Sequence, residues 1–181
     1  MNKEITLPLD EKSALSLHAG DRVFVSGTIW TARDAAHARF FELLDEGKPL
    51  PVDLRDQTIY FVGPCPAPPG KAIGSAGPTT SGRMDRFSPR LIDECGLRGM
   101  IGKGNRSAEV VAAMKRCKAV YFAATGGAGA LIAQCIKKCE VVAFPDLGPE
   151  AVHKLEVEKF PLIVAIDAYG NSCYAKNGEE K

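Results

Sequence analysis

Apolar and polar positions along this chain run in two rhythms, and the rhythm changes wherever glycine and proline fall. Residues 22–30, Arg22-Val23-Phe24-Val25-Ser26-Gly27-Thr28-Ile29-Trp30, are rich in β-branched and aromatic side chains and predict a strand. The chain then passes through Thr31-Ala32-Arg33-Asp34 into a helical pattern with Ala36, Phe40, Leu43 and Leu44 on one face, closed at Gly47. Pro49 and Pro51 mark a loop, and residues 58–62 predict a short strand. The proline-dense run Gly63-Pro64-Cys65-Pro66-Ala67-Pro68-Pro69-Gly70 is too short to separate two cores and reads as a stiff surface loop. Residues 71–76 predict a further strand.

The second half repeats the alternation. Ser88-Pro89 reads as an N-cap followed by proline at the first helical position, with Gly96 closing the helix. Residues 99–101 predict a strand and 107–118 a helix, with Val110, Val111 and Met114 together on one side. A strand over 119–123 leads into Thr125-Gly126-Gly127-Ala128-Gly129-Ala130, then a helix to Cys139 and a strand over 141–144. Residues 162–166 predict a strand, turned at Tyr169-Gly170-Asn171 into a hairpin with 172–175. The polar tail, 176–181, predicts fraying. Alternating strands and helices make this an α/β chain, and 181 residues fit one domain over 1–181.

Charge and cysteine usage then narrow the class. With 23 basic and 22 acidic residues the formal net charge is +1, so no global field recruits nucleic acid or an anionic membrane. The first residues are too polar for a signal peptide, and no apolar run reaches membrane-spanning length, which predicts a cytoplasmic location. The six cysteines (Cys65, Cys95, Cys117, Cys135, Cys139, Cys173) lack paired C-x-x-C spacing. Cys135 and Cys139, four apart, would share a helix face, but their neighbours read as packing residues, and no metal ligand is assigned to this chain.

The candidate chemistry sits in Gly77-Pro78-Thr79-Thr80-Ser81-Gly82-Arg83-Met84-Asp85 and, shortly after, Gly102-Lys103-Gly104-Asn105. Alone, the first block serves equally well as a capped turn. Paired with the second, it offers a guanidinium fork, an ammonium and hydroxyl donors between glycines, which suits a dicarboxylate or a phosphate. The glycine cluster at 126–129 has the position of a dinucleotide loop, with Asp146 about 20 residues on, but lacks the third glycine; an anion-holding role for its amides is the other reading.

Arg33 after Gly27-Thr28-Ile29-Trp30-Thr31-Ala32, the block from Gly77 to Asp85, the turn at Lys103, and Phe160-Pro161-Leu162-Ile163-Val164-Ala165-Ile166-Asp167 together resemble one family. It is the iron–sulfur (class I) fumarase and tartrate dehydratase hydro-lyases, and the resemblance is to the β subunit, equivalent to the C-terminal domain of the single-chain enzymes. It covers residues 15–174, and Gly82-Arg83-Met84-Asp85 is nearer the fumarase branch. The resemblance implies a swivelling domain of three β/β/α layers with a mixed sheet. It implies a reversible hydration of fumarate to malate in the tricarboxylic acid cycle. The implied 4Fe-4S cluster is carried by a partner α subunit, in a higher-order α/β heteromer whose β subunit is inactive alone. Arg33, Arg83 and Lys103 then map to substrate-binding cations and Thr79 to the catalytic hydroxyl base. Because a threonine hydroxyl needs a group to take its proton, Asp34 and Asp85 are the local candidates, and the resemblance points instead to an aspartate of the α subunit. His37, one turn beyond Arg33, either lines the pocket or, as favoured, serves as a structural histidine. The alternatives are the β subunit of L-tartrate dehydratase and a non-catalytic small-anion-binding module.

Overall fold

In the computed structural model, which describes residues 2–124 and 129–174, one seven-stranded mixed sheet organises the chain. Its strands are β1 (Asn2–Thr6), β2 (Arg22–Thr31), β3 (Thr58–Tyr60), β4 (Gly99–Gly102), β5 (Val120–Ala123), β6 (Ile136–Ala143) and β7 (Val152–Ile166). The helices are α1 (Glu11–Leu15), α2 (Asp34–Asp45), α3 (Ser88–Cys95), α4 (Ala108–Cys117) and α5 (Gly129–Cys135), with short 3-10 segments at Ser81–Met84 and Pro145–Glu150. β1 to β5 run parallel in chain order, while β7 pairs antiparallel with β5 and with β6. β7 also pairs antiparallel with β2, so β2, β3, β4, β5 and β7 close into a hydrogen-bonded ring.

Alternation along these strands sorts the core into two. Tyr60, Ile101 and Phe122 face one cluster with Val23, Val25, Ile29, Leu155, Phe160 and Val164, the side of the ring that β7 curls around. Their neighbours Ile59, Met100 and Tyr121 face the other, where Phe40 of α2, Leu91 and Ile92 of α3, and Val110 and Met114 of α4 pack. Successive strand side chains point to opposite faces, so fully buried strands carry almost unbroken apolar runs. No helix among the described residues is long and apolar enough to cross a membrane.

The expected strands at 22–30, 99–101 and 119–123 are present, as are the helices after Arg33 and over 107–118, the latter capped by Ser107. Gly96 closes α3 with φ 72. Ser88 is the first residue of α3 rather than its cap; its hydroxyl donates to the Met84 carbonyl and accepts from Arg106.

Three expectations fail for tertiary reasons. Residues 71–76 form no strand: Ser75 O accepts from the Cys65 amide and Ala76 N donates to Gly129 O, so Ile73 and Ala76 are buried from a loop. α5 ends at Cys135, and residues 136–139, expected to be helical, open β6; Cys139 therefore shares no helix face with Cys135. Pairing with β7, from Ile136 opposite Val157 to Ala143 opposite Val152, overrides the helical spacing. β7 begins at Val152, ten residues before the expected strand, because a register shift hides its period. Val25 faces Phe160 and Gly27 faces Val157, which leaves an extra β7 residue, and Lys159 there has φ 49. The polar β1 and α1 carry no pattern that predicted them. The turn at 167–171 closes through Asp167 N to Asn171 O and the Ile166–Ser172 bridge. Ala175, the tail 176–181 and residues 125–128 of the glycine cluster lie outside the described residues.

Candidate active site

Parallel strands deliver their following loops to one edge, and in open α/β sheets ligands bind there. Here β2 ends just before Arg33, β3 leads into residues 61–79, and β4 leads into Lys103. The segment from Thr79 to Ser81 threads between the last two exits. Thr79 N donates to Phe61 O at 2.8 Å, Ser81 N donates to Lys103 O at 2.9 Å, and Thr80 pairs as an isolated parallel bridge with Lys103. Gly102 makes this approach possible: a Cβ there would overlap Ser81 Oγ and come within 2.9 Å of the Phe61 ring.

Arg33 and Arg83, 50 residues apart in sequence, meet at Asp34. Arg83 Nη2 lies 2.9 Å from Asp34 Oδ2 and Arg33 Nη2 lies 3.9 Å from the same oxygen. That oxygen is shielded from solvent and accepts no well-aligned hydrogen bond, so the contact is a charge contact with the N–H directed elsewhere. Arg33 Nε, also shielded, faces Glu150 Oε1 at 4.0 Å. Glu150 additionally accepts from the Ala35 amide at 3.4 Å, a carboxylate set on the positive end of α2. Gly63 lies against the Arg33 side chain, where a Cβ would stand 3.2 Å from Cδ and Nη1.

His37 fixes the backbone beneath Arg33. Its main-chain amide and its Nδ1 both reach the Arg33 carbonyl, at 3.0 and 2.8 Å, which makes Nδ1 the protonated nitrogen. Nε2 is buried without a partner among the rings of Phe40, Phe61 and Phe87. Burial pushes its pKa down to about 4, helped by the charge of Arg106 and opposed by the Arg33 carbonyl and Asp34. A neutral imidazole at pH 7 with no path to solvent is structural, the role favoured from sequence.

Of the expected site residues, the structure therefore brings Arg33 and Arg83 together through Asp34, bonds the Thr79 amide to Phe61 O, and bridges Lys103 to Thr80 and Ser81. Among the described residues no hydrogen bond or ion pair engages the Thr79 hydroxyl or the Lys103 ammonium. Asp85 is engaged on both oxygens, by Arg106 Nε at 2.6 Å and by the Ser107 amide at 2.8 Å. Asp34 is likewise a counter-ion. Asp146, the would-be ribose partner, instead holds Arg39 in a two-pronged ion pair. Sequence reading missed Glu150, Arg106 and Tyr121; Arg106 follows directly on the Lys103 turn, and that adjacency was the available signal.

The site is an open edge rather than a cavity. Arg83 is 55% exposed at its side chain and Lys103 is exposed. Hollows such as the one of about 510 Å³ lined by Ile73, Ala130 and Ile136, or one of about 400 Å³ lined by Cys65, Cys139 and His153, include none of Arg33, Thr79, Arg83 and Lys103 in their lining. The described residues do not fit an iron–sulfur cluster. No three histidine, cysteine or acidic side chains among them converge on one point. Burial also raises the thiol pKa of Cys95, Cys117, Cys135 and Cys139, which disfavours the thiolate that ligates metal.

The chain matches the family described as Fumarase C-terminus over residues 2–177, and it belongs to that family. It is 42% identical over 176 residues to Fumarate hydratase 2 of Leishmania major, covering 96% of this chain and 31% of that protein. It is 44% identical over 154 residues to the aerobic class I fumarate hydratase of Salmonella typhimurium, covering 84% of this chain and 27% of that protein. The L(+)-tartrate dehydratase subunit beta of Escherichia coli is 33% identical over 181 residues, covering 98% of this chain and 89% of that protein. The chain thus spans less than a third of the length of the fumarate hydratases it matches.

Proposed function

We propose that this chain forms the β part of an iron–sulfur hydro-lyase that reversibly hydrates fumarate to malate. The observation that carries the reading is the meeting of Arg33 and Arg83 on one carboxylate beside the isolated Thr80–Lys103 bridge, in a chain whose relatives are fumarate hydratases and a tartrate dehydratase subunit. Removing a proton from the carbon beside a carboxylate builds negative charge on that carboxylate, and fixed cations aimed there lower the barrier. Arg33 and Arg83 grip the substrate's carboxylates, Lys103 adds a mobile point charge, and Thr79 passes the proton. With Asp34 and Asp85 both held as counter-ions, the group that takes the proton from Thr79 comes from a partner. The same partner brings the 4Fe-4S cluster and closes the open edge, the domain swinging onto it as a swivelling β/β/α unit. Six free thiols suit a reducing, cytoplasmic compartment.

Anaerobic co-expression with a cluster-bearing α partner, iron–sulfur reconstitution and assay on fumarate, malate and tartrate tests this reading. Fumarate–malate interconversion is expected. Turnover of tartrate alone would establish the second reading, a tartrate dehydratase β subunit, which the match over nearly the whole of the Escherichia coli tartrate dehydratase β subunit favours. Dicarboxylate binding with no turnover of any of the three leaves a small-anion-binding module. Arg83→Ala is expected to lower kcat/KM by an amount equivalent to about 2–5 kcal/mol, because it strands a substrate carboxylate in a desolvated site.

A further inference from the structure

We infer that Arg106 and Asp85 are positioning residues, a buried ion pair that locks the turn carrying Arg83 to the turn carrying Lys103. The inference rests on the dicarboxylate reading for its catalytic consequence, but its geometry stands apart from it. The Arg106 side chain is 0% exposed. Its Nε donates to Asp85 Oδ1 at 2.6 Å, its Nη2 to Ser88 Oγ at 2.7 Å, and its Nη1 lies 3.3 Å from Met100 Sδ. The guanidinium stacks between the rings of Phe61 and Tyr121, at 5.2 and 5.0 Å from their centres. Asp85 follows directly on the 3-10 segment that carries Arg83, and Arg106 lies three residues after Lys103.

A second set of bonds closes the same frame. Tyr121 Oη lies 2.7 Å from Ser81 Oγ and 2.8 Å from Gly104 O, so one β5 side chain holds both turns from beneath. The Ser107 amide donates to Asp85 Oδ2, which ties the start of α4 to the same carboxylate. Each of the three nitrogens of Arg106 has a partner inside the protein and the side chain is fully buried, so its charge serves no ligand. With Arg106 fully buried and the Asp85 side chain 20% exposed, a largely desolvated pair of this kind contributes little net stability compared with apolar residues of like shape, whereas a planar fork fixes direction. What it fixes here is the spacing of two cations that a rigid dicarboxylate must bridge, where a misplacement of about 1 Å is enough to lower the rate strongly.

The test uses the reconstituted complex for kinetics and the same complex for amide hydrogen exchange. Asp85→Asn removes one charge; Asp85→Leu combined with Arg106→Met removes both, so no unpaired charge is left buried if the single variant misfolds. The double variant is expected to keep its melting temperature within a few degrees while KM rises at least tenfold and kcat changes less. Exchange at the Thr79 and Ser81 amides, which bond to Phe61 O and Lys103 O, is expected to quicken at least tenfold with β2 and α2 unchanged. Unchanged exchange at those two amides, or an equal acceleration throughout the chain, overturns the positioning role. Should the wild-type complex hydrate nothing, the hydration reading falls while the exchange result still decides this one.

Discussion

Asp34 sits where two guanidiniums meet, and its charge is the smallest part on which the site's geometry depends. Its buried Oδ2 is 2.9 Å from Arg83 and 3.9 Å from Arg33. Replacing it by asparagine keeps the shape but leaves two like charges facing each other, so Asp34→Asn is expected to raise KM for the dicarboxylate about tenfold, a coupling of about 1.4 kcal/mol. A lowered KM in steady-state assays would instead mean that Asp34 competes with the substrate. His37 makes a prediction about pH. The folded chain binds its proton only near pH 4, whereas an unfolded histidine does so near 6.5. Above 6.5 neither state is protonated and stability is intact; as pH falls the unfolded chain takes the proton first. Stability should therefore drop between pH 6.5 and about 4, by up to about 3 kcal/mol from this group. Denaturant midpoints measured across that window should fall less steeply in His37→Phe, which also loses about 1 kcal/mol at pH 8 with the bond to the Arg33 carbonyl.

The strand exits hold these residues in place, and Gly102 at the end of β4 shows how tightly. A methyl group there meets Ser81 Oγ and the Phe61 ring, and neither can withdraw, since Ser81 is bonded to Tyr121 and Phe61 flanks both Arg106 and His37. Gly102→Ala is expected to destabilise the chain by about 1–3 kcal/mol, read as a lowered melting temperature, and to lower activity further by displacing Ser81–Met84. The elements that periodicity and capping captured, β2, α2, β3, α3, β4, α4 and β5, are those whose own residues fill the core. Those it missed answer to neighbours. β6 is a strand because β7 offers it a partner, and the first ten residues of β7 were hidden by the shift at Lys159.

At the scale of the molecule, the closed ring of strands explains why residues far apart in sequence share one edge. β7 bonds to both β5 and β2, which fixes the curvature of the parallel strands and gathers their carboxyl ends. The cations gathered there stand open on one side, and fixed charges act strongly on a developing carboxylate charge only when that side is covered and bulk solvent displaced. The isolated chain is accordingly expected to show no hydration of fumarate in a spectrophotometric assay, with activity appearing only on addition of the cluster-bearing partner. Residue types and spacing by themselves determined the α/β alternation, the cationic turns at Arg83 and Lys103 and the family, because local preference and motif chemistry are written in consecutive residues. Only the tertiary structure decided that Asp34 pairs with Arg83 and Asp85 with Arg106, that His37 is sealed and neutral, and that Arg106 binds two turns together. Each of those roles depends on which distant groups share a desolvated space, and burial and through-space charge are set by the fold rather than by neighbours in the chain.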